Sequence, residues 1–221
     1  YGTAFQAPAP RNLYGGWGGL TVSSNLEPDE IKTFDFSVIG SFKNSAHDLT
    51  FFYNKITKSI LQGENLPDKE IYGFEYKHIF LLETIGKWAK NFRIHFNYTF
   101  TESKYKSPRF NETTLRLSDK VGGIAKHKFN VIMDADLFNS LHFNFRVNYV
   151  GKRPTIVSNP IEEIVDFLLV NAGVQCRNIF KHVKLFLSVN NLFNVDYYHP
   201  GYDSASAGED LSRPSGGWYS S

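Results

Sequence analysis

The chain holds 221 residues, with 24 Lys plus Arg against 22 Asp plus Glu and a formal charge of +2. That balance supplies neither a basic field for nucleic acid nor an acidic solvating tail. The single cysteine, Cys176, excludes an internal disulfide and a thiolate zinc cluster, and its apolar surroundings make it a small buried hydrophobe.

The longest aliphatic or aromatic runs are Ile79 to Leu82 and Phe167 to Val170. Both are far shorter than the roughly 18 residues a membrane helix needs, so helical spanning is excluded. The aromatic content is high, at 20 Phe, 12 Tyr and 3 Trp, which suits strands.

In chain order, residues 1–6 read as the end of a strand. Full strands are expected at about 29–43, 47–60, 70–82, 91–104, 124–138, 141–155, 164–178 and 182–197, with 216–221 opening another. The period is two throughout. Phe92, Ile94, Phe96, Tyr98 and Phe100 alternate with Arg93, His95, Asn97, Thr99 and Thr101. Leu141, Phe143, Phe145, Val147 and Tyr149 alternate with His142, Asn144, Arg146 and Asn148. A helix would scatter these sets over all of its faces, so helix is rejected.

Connections alternate as well. Short ones are expected at 43–47, 139–140 and 178–182, a somewhat longer one at 83–91, and long ones at 62–69, 105–123, 156–163 and 199–217. Short turns at one end and long loops at the other describe an up-and-down antiparallel meander with chemically different ends. The expected strands run well past the usual five or six residues. A bilayer crossing takes about 9 to 11 tilted residues, so the surplus suits strands that continue beyond a membrane.

Alternation alone fits both a soluble sandwich and a membrane barrel. Aromatic placement favours the barrel: Trp88, Phe92, Phe138 and Phe180 gather at the short-turn end, and Tyr105, Tyr149, Tyr197 and Tyr198 at the long-loop end, as interfacial belts require. Phe96, Phe143 and Phe145 then face lipid, and Arg93, His95, Asn144 and Arg146 an aqueous lumen.

Eight segments carry a family resemblance: YGTAFQAPAPRNLY (1–14), NLEPDEIKTFDF (25–36), FFYNKI (51–56), IYGFEYK (71–77), FNYTFTESK (96–104), GIAKHKFN (123–130), YVGKRPT (149–155) and VNNLFNVDYYHPGY (189–202). In this order they resemble the barrel of a TonB-dependent outer-membrane receptor. The resemblance implies a transmembrane antiparallel β-barrel of 22 strands around an N-terminal plug. It implies import of a scarce nutrient, such as an iron-siderophore complex or cobalamin, with energy relayed through TonB. Residues 1–221 are then expected to be a C-terminal barrel portion of about ten strands, with the plug domain and the TonB-contacting segment outside it. The expected location is the outer membrane of a Gram-negative bacterium, with lipid, the TonB complex and a small nutrient ligand as partners and no nucleic acid.

Enzyme chemistry finds no support in the residues. The seven histidines show no ligand spacing, and lumen or turn positions are expected for them. Asp134 and Asp136 share one strand face with Lys128 and Asn130, which suits solvated lumen charges better than acid/base work. Gly15, Gly16, Gly18 and Gly19 lack the strand-to-helix context of a phosphate cradle. No catalytic residue, metal site or cofactor site is expected.

Three function classes remain: an active-transport receptor barrel, which the resemblance favours, a passive or adhesive outer-membrane barrel, and a soluble carbohydrate-binding sandwich. For a receptor, substrate is expected at the long-loop mouth. Tyr14, Trp17, Tyr105, Arg109, His199 and Tyr202 supply aromatic surface and polar groups there. Packing of the loops against one another, or anchoring them at the lipid headgroups, is the competing role for these side chains.

Overall fold

A computed structural model of the chain describes residues 1–14, 25–61, 64–85, 89–112, 114–138, 140–179 and 183–198. The elements are β1 (Gly2–Gln6), α1 (Pro10–Tyr14), β2 (Asp29–Phe42), β3 (Ser45–Thr57), β4 (Ile60–Leu61), β5 (Glu64–Asn65), β6 (Lys69–Ile85) and β7 (Ala89–Asn111). They continue with β8 (Arg116–Lys120), β9 (His127–Leu137), β10 (Leu141–Val150), β11 (Arg153–Pro154), β12 (Glu163–Ile164), β13 (Phe167–Ile179) and β14 (Val183–Val189). Ten of these strands form one sheet in the order β1-β2-β3-β6-β7-β9-β10-β13-β14, with β8 paired to β7. Every pairing is antiparallel.

Register carries the sequence alternation across the whole sheet. Val38, Leu49, Tyr76, Tyr98, Phe129, Tyr149 and Leu168 stand directly opposite one another in turn. One step along the strands, Asp48, Lys77, Asn97, Asn130 and Asn148 form the matching polar row, with the aliphatic Ile39 at its β2 end. A slip of one residue in any strand would break both rows. Phe52, which falls in the polar phase, stands opposite Gly73. A Cβ on Gly73 would lie 1.9 Å from the Phe100 carbonyl oxygen and 3.0 Å from the Phe52 ring, so the ring covers a position that only glycine can occupy.

The register also fixes a tilt. From Phe42, the last residue of β2, successive partners are Ser45, Phe80, Ile94, Met133, Phe145, Ala172 and Val189. The row therefore starts at the short-turn end of β2 and finishes at the long-loop end of β14. Val189 lies six residues beyond Val183, about 20 Å along the strand, and seven strand spacings cover about 34 Å, which gives a slope of about 30°. Membrane barrels tilt their strands by roughly 35–45°.

Substantial contacts between elements occur only between hydrogen-bonded neighbours, and no large side chain among the described residues is fully buried. Among the described residues no second sheet covers the apolar face, as a sandwich would require. Phe34, Phe36, Phe51 and Leu187 all stand well exposed on that face. Cys176 lies on it too, between Leu141 and Leu185, and is half-buried rather than enclosed.

The structure corrects further sequence expectations. Residues 105–123 are not a plain loop, because β7 extends for 23 residues and its outer part pairs with β8 as Phe110 with Leu117 and Asn111 with Arg116. The final strand stops at Val189 instead of 197. There Asn191 and Asn194 turn the chain with φ of 50° and 49°, and the Asn191 side chain bonds both the N–H and the carbonyl of Val195. Finally, His47, His78 and His127 lie in the apolar phase, with partners on that face. His47 Nδ1 is 2.8 Å from the Tyr76 hydroxyl and 3.1 Å from His78 Nδ1, and His127 Nδ1 is 2.8 Å from the Tyr98 hydroxyl. His182 and His199, the belt residues Trp88 and Phe180, the glycines 15, 16, 18 and 19, and the expected strand at 216–221 lie outside the described residues.

Candidate functional site at the long-loop end

Strand parity decides which face each residue of the mouth presents. In β7 the even positions through Lys104 share the apolar phase, so Thr101, Ser103 and Tyr105 fall on the polar face. Tyr105 is therefore not a belt residue. It is only 8% exposed and stands opposite Lys69. Arg109 folds back so that its guanidinium carbon lies 5.8 Å from the Tyr105 ring centre, within cation–π range. Lys69 feels the charges of Asp29 and Arg109. Lys69, Tyr105 and Arg109 thus gather at the rim of the polar face, with Asp29 at the start of β2 within electrostatic reach of Lys69.

Of the six expected substrate residues, the structure brings together Tyr105 and Arg109. Tyr14 lies at the end of α1 and is 82% exposed. Trp17, His199 and Tyr202 lie outside the described residues. Lys69 was missed because only the β6–β7 register brings it beside Tyr105, and Asp29 because it reaches Lys69 through its charge and not through a strand pairing.

The larger feature of this end is a pair of loops locked together by Arg116. Its Nη1 lies within donating range of Thr155 Oγ1 at 3.0 Å, of the Ile156 and Ile161 carbonyls at 3.1 Å each, and of the Asn159 carbonyl. Two N–H hydrogens are shared among four oxygens. Thr114 adds a hydroxyl bond of 2.6 Å to the Val157 carbonyl, and the Gly123 N–H reaches the Pro154 carbonyl at 2.7 Å. A Cβ on Gly122 would lie 2.8 Å from the Ile156 side chain. Thr155 and Asn159 are 4% and 5% exposed, so the module is closed to water at its centre.

Arg153 extends the module to the last described segment. Its Nη2 donates to the Tyr198 carbonyl at 2.8 Å, and its guanidinium carbon sits 5.1 Å from the Phe167 ring centre, which in turn meets Tyr197 at 4.8 Å. Burial pulls this guanidinium below its ordinary value, and its Nε has no partner. Two open clefts of about 450 and 430 Å³ flank the module and share Lys120, Pro154 and Glu163. These volumes lie within the usual range of ligand pockets.

Toward the other end of the polar face, Asp136 accepts from Asn91 at 2.8 Å, His142 at 2.9 Å and Arg177 at 3.4 Å, and Asp134 accepts from Asn144 at 2.8 Å. Both carboxylates are satisfied, as wall charges should be. Among the described residues no group of three or more His, Cys, Asp or Glu side chains could hold a metal ion.

With this geometry, the chain matches the family model described as TonB dependent receptor-like, beta-barrel, over residues 1–192. The chain belongs to that family. No curated protein matches it. Among solved structures it is similar to the ferric yersiniabactin uptake receptor FyuA of Yersinia pestis, with TM-score 0.64 and 14% identity over 81% of this chain and 27% of that one. The ferric-catecholate import receptor Fiu of E. coli K12 gives TM-score 0.66 and 15% identity over 89% and 28%. The copper transporter OprC gives 0.63 and 14% over 89% and 31%. The chain thus spans between a quarter and a third of the length of these structures. The family and these neighbours are transport receptors and not enzymes.

Proposed function

We propose that the chain is the C-terminal portion of the barrel of an outer-membrane receptor that imports a scarce nutrient, an iron-siderophore complex, cobalamin or a similar compound. A plug outside the chain would fill the lumen, and TonB would supply the energy. The observation that carries the proposal is the family match over an open, tilted meander with one apolar and one polar face. An open meander leaves unpaired edge N–H and C=O groups that hydrocarbon does not tolerate, so the span requires the rest of a closed barrel.

In this reading the apolar face meets lipid, the polar face lines the lumen, and the long-loop end faces the exterior. Tyr105 and Arg109, with Lys69 and Asp29, sit where an incoming ligand first meets the upper lumen. The Arg109 guanidinium suits carboxylate or other anionic groups of a metal chelate. The neighbours carry ferric yersiniabactin, ferric catecholates and copper on one architecture. The scaffold therefore leaves cargo to the loops.

The test is uptake in the source bacterium. A strain deleted for the full-length gene should lose accumulation of one labelled ferric chelate or cobalamin from a panel, and the intact gene should restore it. A protonophore should abolish the restored uptake. Uptake that persists with the protonophore would identify a passive barrel.

A further inference from the structure

We propose that Lys32, Lys55 and Lys104 form a cationic row on the lipid-facing side of the barrel that binds the phosphates of outer-leaflet lipid headgroups. This inference rests on the outer-membrane barrel reading above. Register carries the row: Lys32 stands opposite Lys55, Lys55 opposite Glu70, and Glu70 opposite Lys104. All four share the phase of Phe34, Tyr53 and Tyr72, which form the next row toward the short-turn end. Those rings are 55%, 39% and 36% exposed, as an interfacial aromatic belt would be.

Depth agrees with the assignment. Lys32 lies ten residues from Phe42 at the short-turn end of β2, and Lys55 ten residues from Ser45 at that end of β3. At about 3.4 Å per residue and a tilt of roughly 30–45°, ten residues rise about 24–29 Å, against an apolar band about 25 Å tall. The row climbs as it crosses the sheet, so Lys104 stands about 7–10 Å further out. A headgroup layer is about 5–8 Å deep on each side of the bilayer. The three amines therefore span that layer from its inner to its outer edge.

The row is also short of counter-charge. Like charges directly opposite one another on a sheet repel, and Lys32 and Lys55 are such a pair. The intervening Glu70 is held elsewhere, accepting from the Tyr53 hydroxyl at 3.1 Å and lying 3.8 Å from the Lys106 ammonium. Glu27 is engaged by Lys58, whose ammonium is also held charged by Glu30 and Asp68. Among the described residues, Lys32, Lys55 and Lys104 have no carboxylate partner, whereas Lys120, the next residue of the row, is paired with Glu163. An anionic headgroup would supply the missing charge at the depth where the amines stand.

The test uses the full-length receptor, stripped of native lipid and placed in nanodiscs doped with bisphosphorylated lipid A or its dephosphorylated form. Bound lipid per receptor is read by native mass spectrometry. The unaltered receptor should bind the phosphorylated form at least tenfold more tightly, with affinity falling as salt rises. The triple variant K32Q/K55Q/K104Q should lose that preference, while the polar-face variant K77Q/K128Q should keep it. Equal binding of both lipids, or an unchanged triple variant, would overturn the inference. Full displacement by millimolar inorganic phosphate would overturn it too, in favour of a soluble-anion site. Heat-modifiable migration of each variant reports a folded barrel. A full-length receptor that partitions into water in Triton X-114 defeats the membrane reading itself, separately from the lipid result.

Discussion

Arg153 donates to the Tyr198 carbonyl at 2.8 Å across 45 residues of chain. The bond joins the YVGKRPT segment to the start of the YYHPGY segment, and the same guanidinium covers the Phe167 ring. Replacement by Gln keeps a polar group but shortens the side chain and loses the charge and the ring contact. A buried charge-assisted hydrogen bond contributes roughly 1.5–3 kcal/mol. Arg153→Gln in the full-length protein should release the 195–198 segment, read as a rise in amide exchange there with the strands unaffected. Unchanged protection would mean that Phe167 and Tyr197 hold the segment alone.

The lipid face makes a second prediction. Phe145 stands between Met133 and Ala172, and its neighbour Asn144 faces the other way and donates to Asp134 at 2.8 Å. Phe145→Arg should destabilise the intact barrel by about 2–4 kcal/mol if the site is near the midplane. Asn144→Arg should be close to neutral, because a guanidinium there can keep Asp134 as partner. Denaturant unfolding of the full-length barrel in lipid vesicles measures both. Equal losses would reject the assignment of faces.

How much of this was legible in the sequence depended on range. Alternation in β7 and β10 gave both faces, since period two is a local property, and the short turns followed from where the apolar phase breaks. The β7–β8 hairpin was not legible: KYKSPRFNETTLRL has the Pro, Asn and Thr of a loop, and its pairing is irregular between Lys104 and Arg109. The Arg116 lock was invisible for another reason. Its partners are mainly backbone carbonyls about 40 residues away, and carbonyls carry no sequence signal. The His47–His78 contact likewise needs the β3–β6 register.

That lock yields a third prediction. Arg116→Met preserves bulk and removes every donor to Thr155, Ile156, Asn159 and Ile161. The expected loss is about 2–3 kcal/mol of local stability, which speeds amide exchange over residues 155–162 by roughly 30- to 150-fold. Cleavage at Glu162 and Glu163 by a Glu-specific protease should rise in parallel. Exchange and cleavage that match the unaltered protein would show that Thr114 and the Gly122–Ile156 contact suffice.

Orientation can be read on whole cells after Cys176, the one cysteine of this chain, and any cysteine outside it are replaced by Ala. A cysteine at Glu112, exposed at the tip of the β7–β8 hairpin, should react with an impermeant maleimide, and one at Ser140, in the β9–β10 turn, should not. Glu112 is preferable to Asn111, whose side-chain oxygen accepts from the Thr114 N–H at 2.9 Å and holds the tip. The reverse labelling order would invert the topology.

The candidate ligand site separates into one structural and one contacting residue. Tyr105 is nearly enclosed and is covered by Arg109, so Tyr105→Ala removes packing as well as any ligand contact. A large aromatic lost from an enclosed position costs about 3–5 kcal/mol, and here the damage should be confined to the rim and appear first as faster exchange in β8. Arg109→Gln leaves the ring in place and removes the charge. At limiting substrate it should lower uptake several-fold through a raised apparent KM, with receptor abundance and heat-modifiable migration unchanged. Arg109→Lys restores charge without the planar fork, and should recover part of the affinity if the ligand is anionic. Tyr14→Ala, at an exposed position on α1, should have little effect on either. Normal uptake by Arg109→Gln at limiting substrate would remove this rim cluster from the binding site and direct attention to the plug.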